Sequence, residues 1–139
     1  MFDHAVLQRA ACSKAEKLGC MEVIRRILGL QAKMEERGVI AFEEELKTES
    51  NTMLGVGLSL VLNGASSEIV RLVMCNFVHS SDYSGGKLLE QILIAEGIVF
   101  IHSYSEYSRL LPDILTSYLG EDMIGVSKEE LSEFRKWIL

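Results

Sequence analysis

Cysteine and histidine side chains are the residues whose type and spacing could support metal binding or nucleophilic chemistry. Cys75 and His79 are four residues apart, and on a helix this spacing places both side chains on one face. With His102 or Cys20 they could hold a zinc ion, since thiolate and imidazole are ligands that zinc prefers. No second ligand pair occurs at the usual spacing, so we predict no metal, no cofactor and no catalytic residue. The alternative is a small ligand-binding or metal-dependent enzyme domain that uses Cys75, His79 and His102.

Two glycine-containing stretches can be compared with nucleotide-binding motifs. GGKL at residues 85–88 lacks the earlier glycine and the following Ser or Thr of a phosphate-binding loop, so residues 80–87 are interpreted as a polar linker. Gly55 and Gly57 have no third glycine at the required spacing, and we predict that they let a neighbouring helix approach closely. Four tyrosines, at positions 83, 104, 107 and 118, could line a pocket.

The composition limits the classes of protein and partner. The chain has 139 residues, of which 48% are apolar, and we predict a single domain over residues 1–139. A net charge of −6 argues against a nucleic-acid partner, because such binding depends on clustered cations. We find no secretory signal, and the longest apolar stretches are about half the ~20 residues of a membrane helix, so no membrane insertion is expected. Three cysteines without CxxC spacing indicate a reducing compartment, and we predict a cytoplasmic protein.

Apolar residues at helical spacing and a single proline predict an all-α fold, a compact helical bundle of about seven short helices, or eight if the N-terminal stretch counts as two. The predicted helices span about 3–18, 20–36, 39–47, 50–62, 67–79, 87–103, 108–119 and 128–138. Asp3 and Ser66 are predicted N-caps, and Gly19 and Gly38 are predicted interruptions. Ser127 with Glu130 has the pattern of a capping box for the last helix, whose buried residues include Ile138.

The stretch RGVIAFEEELK, residues 37–47, joins an apolar run to three glutamates. On a helical wheel that begins at Val39, Glu43 falls inside the apolar stripe, whereas Glu44 and Glu45 point away from it. A carboxylate on an apolar face needs a partner, because unpaired burial is costly. We therefore predict Glu43 at the edge of the core, paired with a cation or with a backbone N–H at a helix start, and Glu44 and Glu45 on a solvated acidic face.

Three blocks of sequence resemble one known family. They are GVIAFEEEL (38–46), GLSLVLNGASSEIVRLVM (57–74) and ILIAEGIVFIHSYSEYSRLLPDILTSYL (92–119). In this order they resemble the cytoplasmic region of the flagellar stator protein MotA, over about residues 30–120. The linker 80–87 stands where that family has membrane helices, so the resemblance implies a protein-binding helical domain without ion transport. The family carries basic residues implicated in rotor contact just before the first block, and here Glu35, Glu36 and Arg37 stand there.

We therefore expect a non-enzymatic helical adaptor that binds other proteins, as a component or regulator of the bacterial flagellar motor. The acidic residues predict a partner with a basic surface, because complementary charge gives specificity and faster association. The predicted partner-binding residues are Glu35, Glu36, Arg37, Glu43, Glu44 and Glu45. The identity of the partner is left open, and so is a homodimer.

Overall fold

The computed structural model describes residues 1–103 and 105–134, which are all-helical and contain no β-strand. In chain order the α-helices are α1 (His4–Arg9), α2 (Lys14–Arg37), α3 (Ala41–Thr48), α4 (Thr52–Leu62), α5 (Ser67–His79), α6 (Gly85–Ser103), α7 (Leu111–Ser117) and α8 (Ile124–Glu130). Short 3₁₀ helices at Ser105–Leu110 and Glu121–Met123 precede the last two. The predicted fold class is confirmed, while Tyr104 and Ile138 lie outside the described residues.

Polar side chains cap several helix starts. Asp3 accepts a hydrogen bond from the backbone N–H of Val6 at 2.9 Å, and Ser66 accepts one from Ile69 at 3.3 Å, so both predicted caps are confirmed. Asn51, and not Ser50, caps α4. The end of α2 lies at Gly38 as predicted, where φ is +76°, a conformation that glycine adopts at little cost.

Several predicted boundaries are wrong, among them the start of α3, which lies at Ala41 and not at residue 39. The first helix ends at Arg9, because Ser13 and Glu16 form a capping box that starts α2, and Gly19 lies inside α2. The linker ends at Ser84, since α6 begins at Gly85. The last helix begins before Ser127, because the 3₁₀ turn Glu121–Met123 leads directly into α8. Ser127 is therefore buried inside that helix and caps nothing.

The central element is α6, which is buried along most of its length and packs against α2, α4 and α5. One hydrophobic core combines its side chains with buried residues from α1 to α5, from α7 and from Leu131 after α8. None of the helices in the described chain combines the length and apolar character needed to cross a membrane. The prediction of a single domain over residues 1–139 stays a prediction.

Two glycines allow neighbouring helices to approach α6 and α4. A Cβ atom added at Gly97 of α6 would lie 2.6 Å from Cγ2 of Ile27 on α2, so only glycine fits without a shift of the two helices. A Cβ atom at Gly57 of α4 would lie 3.1 Å from Cγ1 of Ile98, which confirms the close approach predicted there. Gly55 has no atom within 4 Å of such a Cβ, so the same prediction is wrong for Gly55.

Replacing Gly97 with alanine should destabilise the fold. The Ile27 side chain branches at Cβ and cannot move its Cγ2 away without changing rotamer, so we expect Gly97→Ala to lower the free energy of unfolding by about 1–3 kcal/mol. The matched control is Gly19→Ala, at an exposed position inside α2 with open space around the added methyl. It should raise stability by about 0.5–1 kcal/mol. Urea unfolding followed by circular dichroism measures both, and equal effects would contradict the close contact.

Candidate protein-binding site

Helix α3 turns a different face to the core from the one that the wheel predicts. Ala41 and Phe42 are buried, whereas Val39 and Ile40 are 36% and 54% exposed. The reason is that the helix begins at Ala41, and the two residues before it belong to the turn that leaves α2. The face of α3 that is turned to the core therefore starts at Ala41 and continues one turn later with the half-buried Glu45 and Leu46.

Because a different face of α3 is buried, the positions predicted for Glu43 and Glu45 are exchanged. Glu43 is exposed and makes no ion pair with any described residue, so its predicted place at the edge of the core is wrong. Glu45 has only 13% of its side chain exposed and is paired with Arg26 and Lys33 of α2. Its predicted surface position is therefore also wrong, whereas Glu44, with 63% of its side chain exposed, lies on the surface as predicted.

Arg26 holds α3 and the following turn against α2. Its Nη2 donates to Oε2 of Glu45 and to Oε1 of Glu49, both at 2.9 Å, and its Nε donates to the same Glu49 oxygen at 3.1 Å. Lys33 Nζ donates to the other oxygen of Glu45. The Lys33 hydrogen bond, together with the one from Arg26, holds the pKa of Glu45 below its ordinary value despite partial burial. We call Arg26, Lys33, Glu45 and Glu49 the brace.

Exposed apolar residues and exposed charged residues lie side by side at the turn between α2 and α3. Apolar Val39 and Ile40 lie in the turn, with exposed charged residues in the last turn of α2 and the first turn of α3. We call this surface the acidic corner, and its members are Glu35, Glu36, Arg37, Val39, Ile40, Glu43 and Glu44. Lys47 pairs with Glu44 at 3.1 Å, but both side chains are mostly exposed and such a pair contributes little. Except for Glu45, the predicted partner-binding residues are thus exposed around the turn between α2 and α3, and Glu35 also lines a cavity with Met34 and Ile101 of α6.

The residues of the alternative site are not brought together. His79 Nδ1 donates to the carbonyl of Cys75 at 2.8 Å, near the end of α5. His102 Nε2 donates to the carbonyl of Ala65 at 2.8 Å, just before the start of α5, more than two turns away. Burial raises the pKa of the Cys75 thiol, which lowers the fraction of reactive thiolate. Within the described part of the chain no three His, Cys, Asp or Glu residues form a group that could hold a metal ion.

The glycines of GGKL have a structural role that the sequence reasoning missed. Glu16 Oε2 accepts the backbone N–H of Gly86 at 2.9 Å, and a Cβ at Gly86 would lie 2.9 Å from that oxygen. This hydrogen bond from Gly86 is the main cause of the lowered pKa of Glu16. The same carboxylate belongs to the capping box of α2, so one side chain joins the starts of α2 and α6. The capping-box spacing was visible in the sequence, but the second contact crosses 70 residues.

Glu45 and Glu43 should differ in their contribution to the stability of the fold. We expect Glu45→Gln to lower the free energy of unfolding by about 1–2 kcal/mol, because it weakens charge-assisted bonds to Arg26 and Lys33. Glu43→Gln is the matched control and should change stability little, since Glu43 is exposed. Chemical unfolding at pH 7 measures both variants. Equal losses for the two would contradict the placement of α3.

The contribution of Glu45 should also depend on pH. Its pKa is lowered in the folded state, so the stabilisation is complete above the ordinary value of 4.5 and is lost as pH falls through the folded pKa. The stability difference between the wild type and Glu45→Gln should therefore shrink below pH 4.5. Melting curves between neutral and acidic pH test this, with Glu43→Gln again as the control. A difference that stays constant down to the lowest pH would count against the brace.

The comparisons with known proteins add no relative to this description. No protein-family model, no curated protein and no solved structure matches the chain. The resemblance of its three sequence blocks to the MotA cytoplasmic region therefore stays a prediction from those residues. The geometry of the acidic corner is the principal guide to function.

Proposed function

We propose that this chain is a non-enzymatic helical adaptor and that its acidic corner binds a basic surface of another protein. The observation that carries the proposal is the exposure of Val39 and Ile40 between two pairs of glutamates. An apolar centre within a charged rim is the usual anatomy of a protein–protein contact. The centre supplies affinity when water is excluded, and the rim selects the partner.

The fold alone does not account for Val39 and Ile40. Single exposed apolar side chains are common on protein surfaces, but these two are consecutive and lie at the start of a helix. No side chain caps α3, although Ser, Thr, Asn or Asp is preferred at such a position and would stabilise the helix. Two β-branched residues at this place therefore forgo stability and solubility, and contact with a partner gives a reason for their presence.

The charges of the corner favour a basic partner. Glu35, Glu36, Glu43 and Glu44 are opposed by Arg37 and Lys47, while the neighbouring Lys33 is paired with Glu45. Because the brace fixes α3 on α2, the backbone that carries these carboxylates is held in place before binding, and little backbone freedom remains to be lost. Glu45 acts in this scheme as a positioning residue rather than as a contact.

The resemblance to MotA suggests where to look for the partner. Glu35, Glu36 and Arg37 stand where that family carries basic residues implicated in rotor contact, and in this chain they are exposed at the end of α2. An acidic surface in that place would favour a partner with the opposite charge. Components of the bacterial flagellar motor that present exposed lysines and arginines are therefore the first candidates. Motor association is part of the proposal and rests on the sequence blocks alone.

Reversing the exposed charges should weaken partner binding without unfolding the chain. We expect the double variant Glu43→Lys with Glu44→Lys to bind a basic partner about tenfold more weakly, mainly through slower association. Purified motor components bearing basic surfaces serve as probes, with rates measured by surface plasmon resonance at low and physiological salt. Wild-type binding should weaken at the higher salt, because exposed charges are screened.

The matched control changes the same number of charges elsewhere. Glu129→Lys with Glu133→Lys alters two exposed glutamates near α8 and gives the same net charge. It should bind as the wild type does, which separates the acidic corner from a general effect of net charge. Equal weakening by both double variants would refute the acidic corner as the contact. Failure of every motor component to bind the wild type would reject the motor partner.

A further inference from the structure

Helix α5 has apolar residues on two faces, and only one of them is used by the fold. Val70, Met74 and Val78 face the core and are fully buried. A second set lies at the helical spacing i, i+3, i+4 and i+8 and faces outward. It consists of Ile69, Leu72, Val73 and Phe77, which we call the α5 stripe. Leu72 is 56% exposed and Phe77 is 42% exposed, so the α5 stripe is an unpartnered helix face.

The surroundings of the α5 stripe are unusually poor in charge. Although 24% of the chain is charged, no Asp, Glu, Lys or Arg occurs from Ser50 to Ser67. Helix α4, which packs beside α5, therefore has no charged residue, and its Val56 and Leu60 are only half-buried. An apolar stripe next to an uncharged helix is typical of a surface that another protein covers.

Two ionisable groups of α5 lie at the two ends of the helix, along one edge of the stripe. Glu68 and His79 are exposed, stand at opposite ends of the helix, and are eleven residues apart. Eleven residues are about three helical turns, so both side chains lie along the same edge of the stripe. Arg71, the remaining cation of the helix, is half-buried on the side towards Met1. The stripe thus has an acidic end and, when the imidazole is protonated, a basic end.

We infer that the α5 stripe binds a second copy of this chain, with the two α5 helices antiparallel about a two-fold axis near Val73. Such an axis places Ile69 of each copy opposite Phe77 of the other. It also brings Glu68 of each copy beside His79 of the other, because one edge of a stripe meets the same edge of its partner in reverse direction. A parallel arrangement about a two-fold axis would bring opposite edges of the two stripes together and would keep Glu68 away from His79, so pairing of these two groups favours the antiparallel arrangement.

The outer nitrogen of His79 already has one acidic neighbour in its own copy, Asp3, and the side chain is 39% exposed. Nδ1 is bonded to the carbonyl of Cys75, so Nε2 is the atom that faces outward. Asp3 approaches Nε2 from the segment before α1, at 3.8 Å, and Phe2 lies beside the ring. Arg9 of α1 bonds the carbonyls of Ser81 and Tyr83 beyond the end of α5. In the dimer the protonated ring would lie between Asp3 of its own copy and Glu68 of the second copy.

The expected dimer is a weak one. One stripe of four apolar side chains on a helix of 13 residues is smaller than the ~800 Å² per partner of a standard stable interface. Monomer and dimer should therefore exchange within an accessible range of concentration. Each dimer would carry two acidic corners, so a partner with repeated sites would be bound more tightly than by one copy.

Sedimentation equilibrium of the purified chain between about 1 and 500 μM tests the inference, since this range spans weak dimerisation. The wild type should show a concentration-dependent dimer. Leu72→Lys should abolish it, whereas Ile124→Lys, at a position with nearly the same exposure of 54%, should not. Circular dichroism confirms that both variants stay folded. A monomer at every concentration, or equal loss in both variants, would overturn the proposed interface.

Cysteine cross-linking tests the two-fold axis separately. Mild oxidation with diamide should link Val73→Cys to itself across the axis, with the bond located by mass spectrometry. Ile69→Cys should not link to itself but should link to Phe77→Cys when the two variants are mixed. Self-linking of Ile69→Cys would instead demonstrate parallel helices and overturn the arrangement. Each linkage to the native Cys75, which is half-buried, is recognised by its peptide masses.

A substitution at Glu68 tests the proposed pairing between Glu68 and His79 of the two copies. Glu68→Gln should weaken the dimer several-fold in the wild-type background and should have little further effect in a His79→Gln background, because the partner of Glu68 is then already absent. An equal effect of Glu68→Gln in both backgrounds would contradict the pairing with His79. The proposed dimer and the proposed partner at the acidic corner can be tested independently. Leu72→Lys should leave the binding of a basic partner at the acidic corner unchanged, because α5 and the corner are separate surfaces.

Discussion

The close contact between α2 and α6 is the constraint on which the rest of the structure depends. Gly97 gives the backbone of α6 no side chain at the point where Ile27 of α2 meets it, and the two axes approach accordingly. The same two helices are joined at their starts, where Glu16 accepts the N–H of Gly86. With α6 held in this way, its other sides remain for α4 and α5, and the outer side of α2 remains for α3. Both proposed binding surfaces are therefore built on helices that this contact positions.

The sequence predicts those features that depend on neighbouring residues. The all-helical class, the caps at Asp3 and Ser66 and the end of α2 at Gly38 follow from local chemistry, and the structure confirms them. Gly19 shows the limit of such reasoning, because a glycine inside a helix costs only about 1 kcal/mol and tertiary contacts outweigh that cost. Ser127 shows the same limit, since packing of the preceding turn moves the helix start and buries a residue that resembles a cap.

The candidate site could be predicted as a region but not in its detail. Residues 35–45 include most of the exposed carboxylates of the corner, yet the roles of Glu43 and Glu45 depend on the residue at which α3 begins. Because Val39 and Ile40 lie outside the helix, the face turned to the core is centred between Phe42 and Glu45, about 100° from the predicted stripe. Arg26 lies 19 residues before Glu45, and only the packing of α3 on α2 brings them together. Long-range pairs of this kind leave no periodic signal in a single sequence.

The proposed contacts at the acidic corner and at the α5 stripe depend on different forces. The corner combines a small apolar centre with charges that guide association, whereas the stripe depends on apolar burial with one charge pair to set direction. A catalytic site would need a nucleophile, a base and an electrophile that converge. Cys75, His79 and His102 instead satisfy separate backbone carbonyls or lie partly buried, and burial raises the pKa of the buried Cys20 thiol to about 12. The exposed apolar side chains Val39 and Ile40 at the corner, and Leu72 and Phe77 on the stripe, are therefore the main basis of the two proposals.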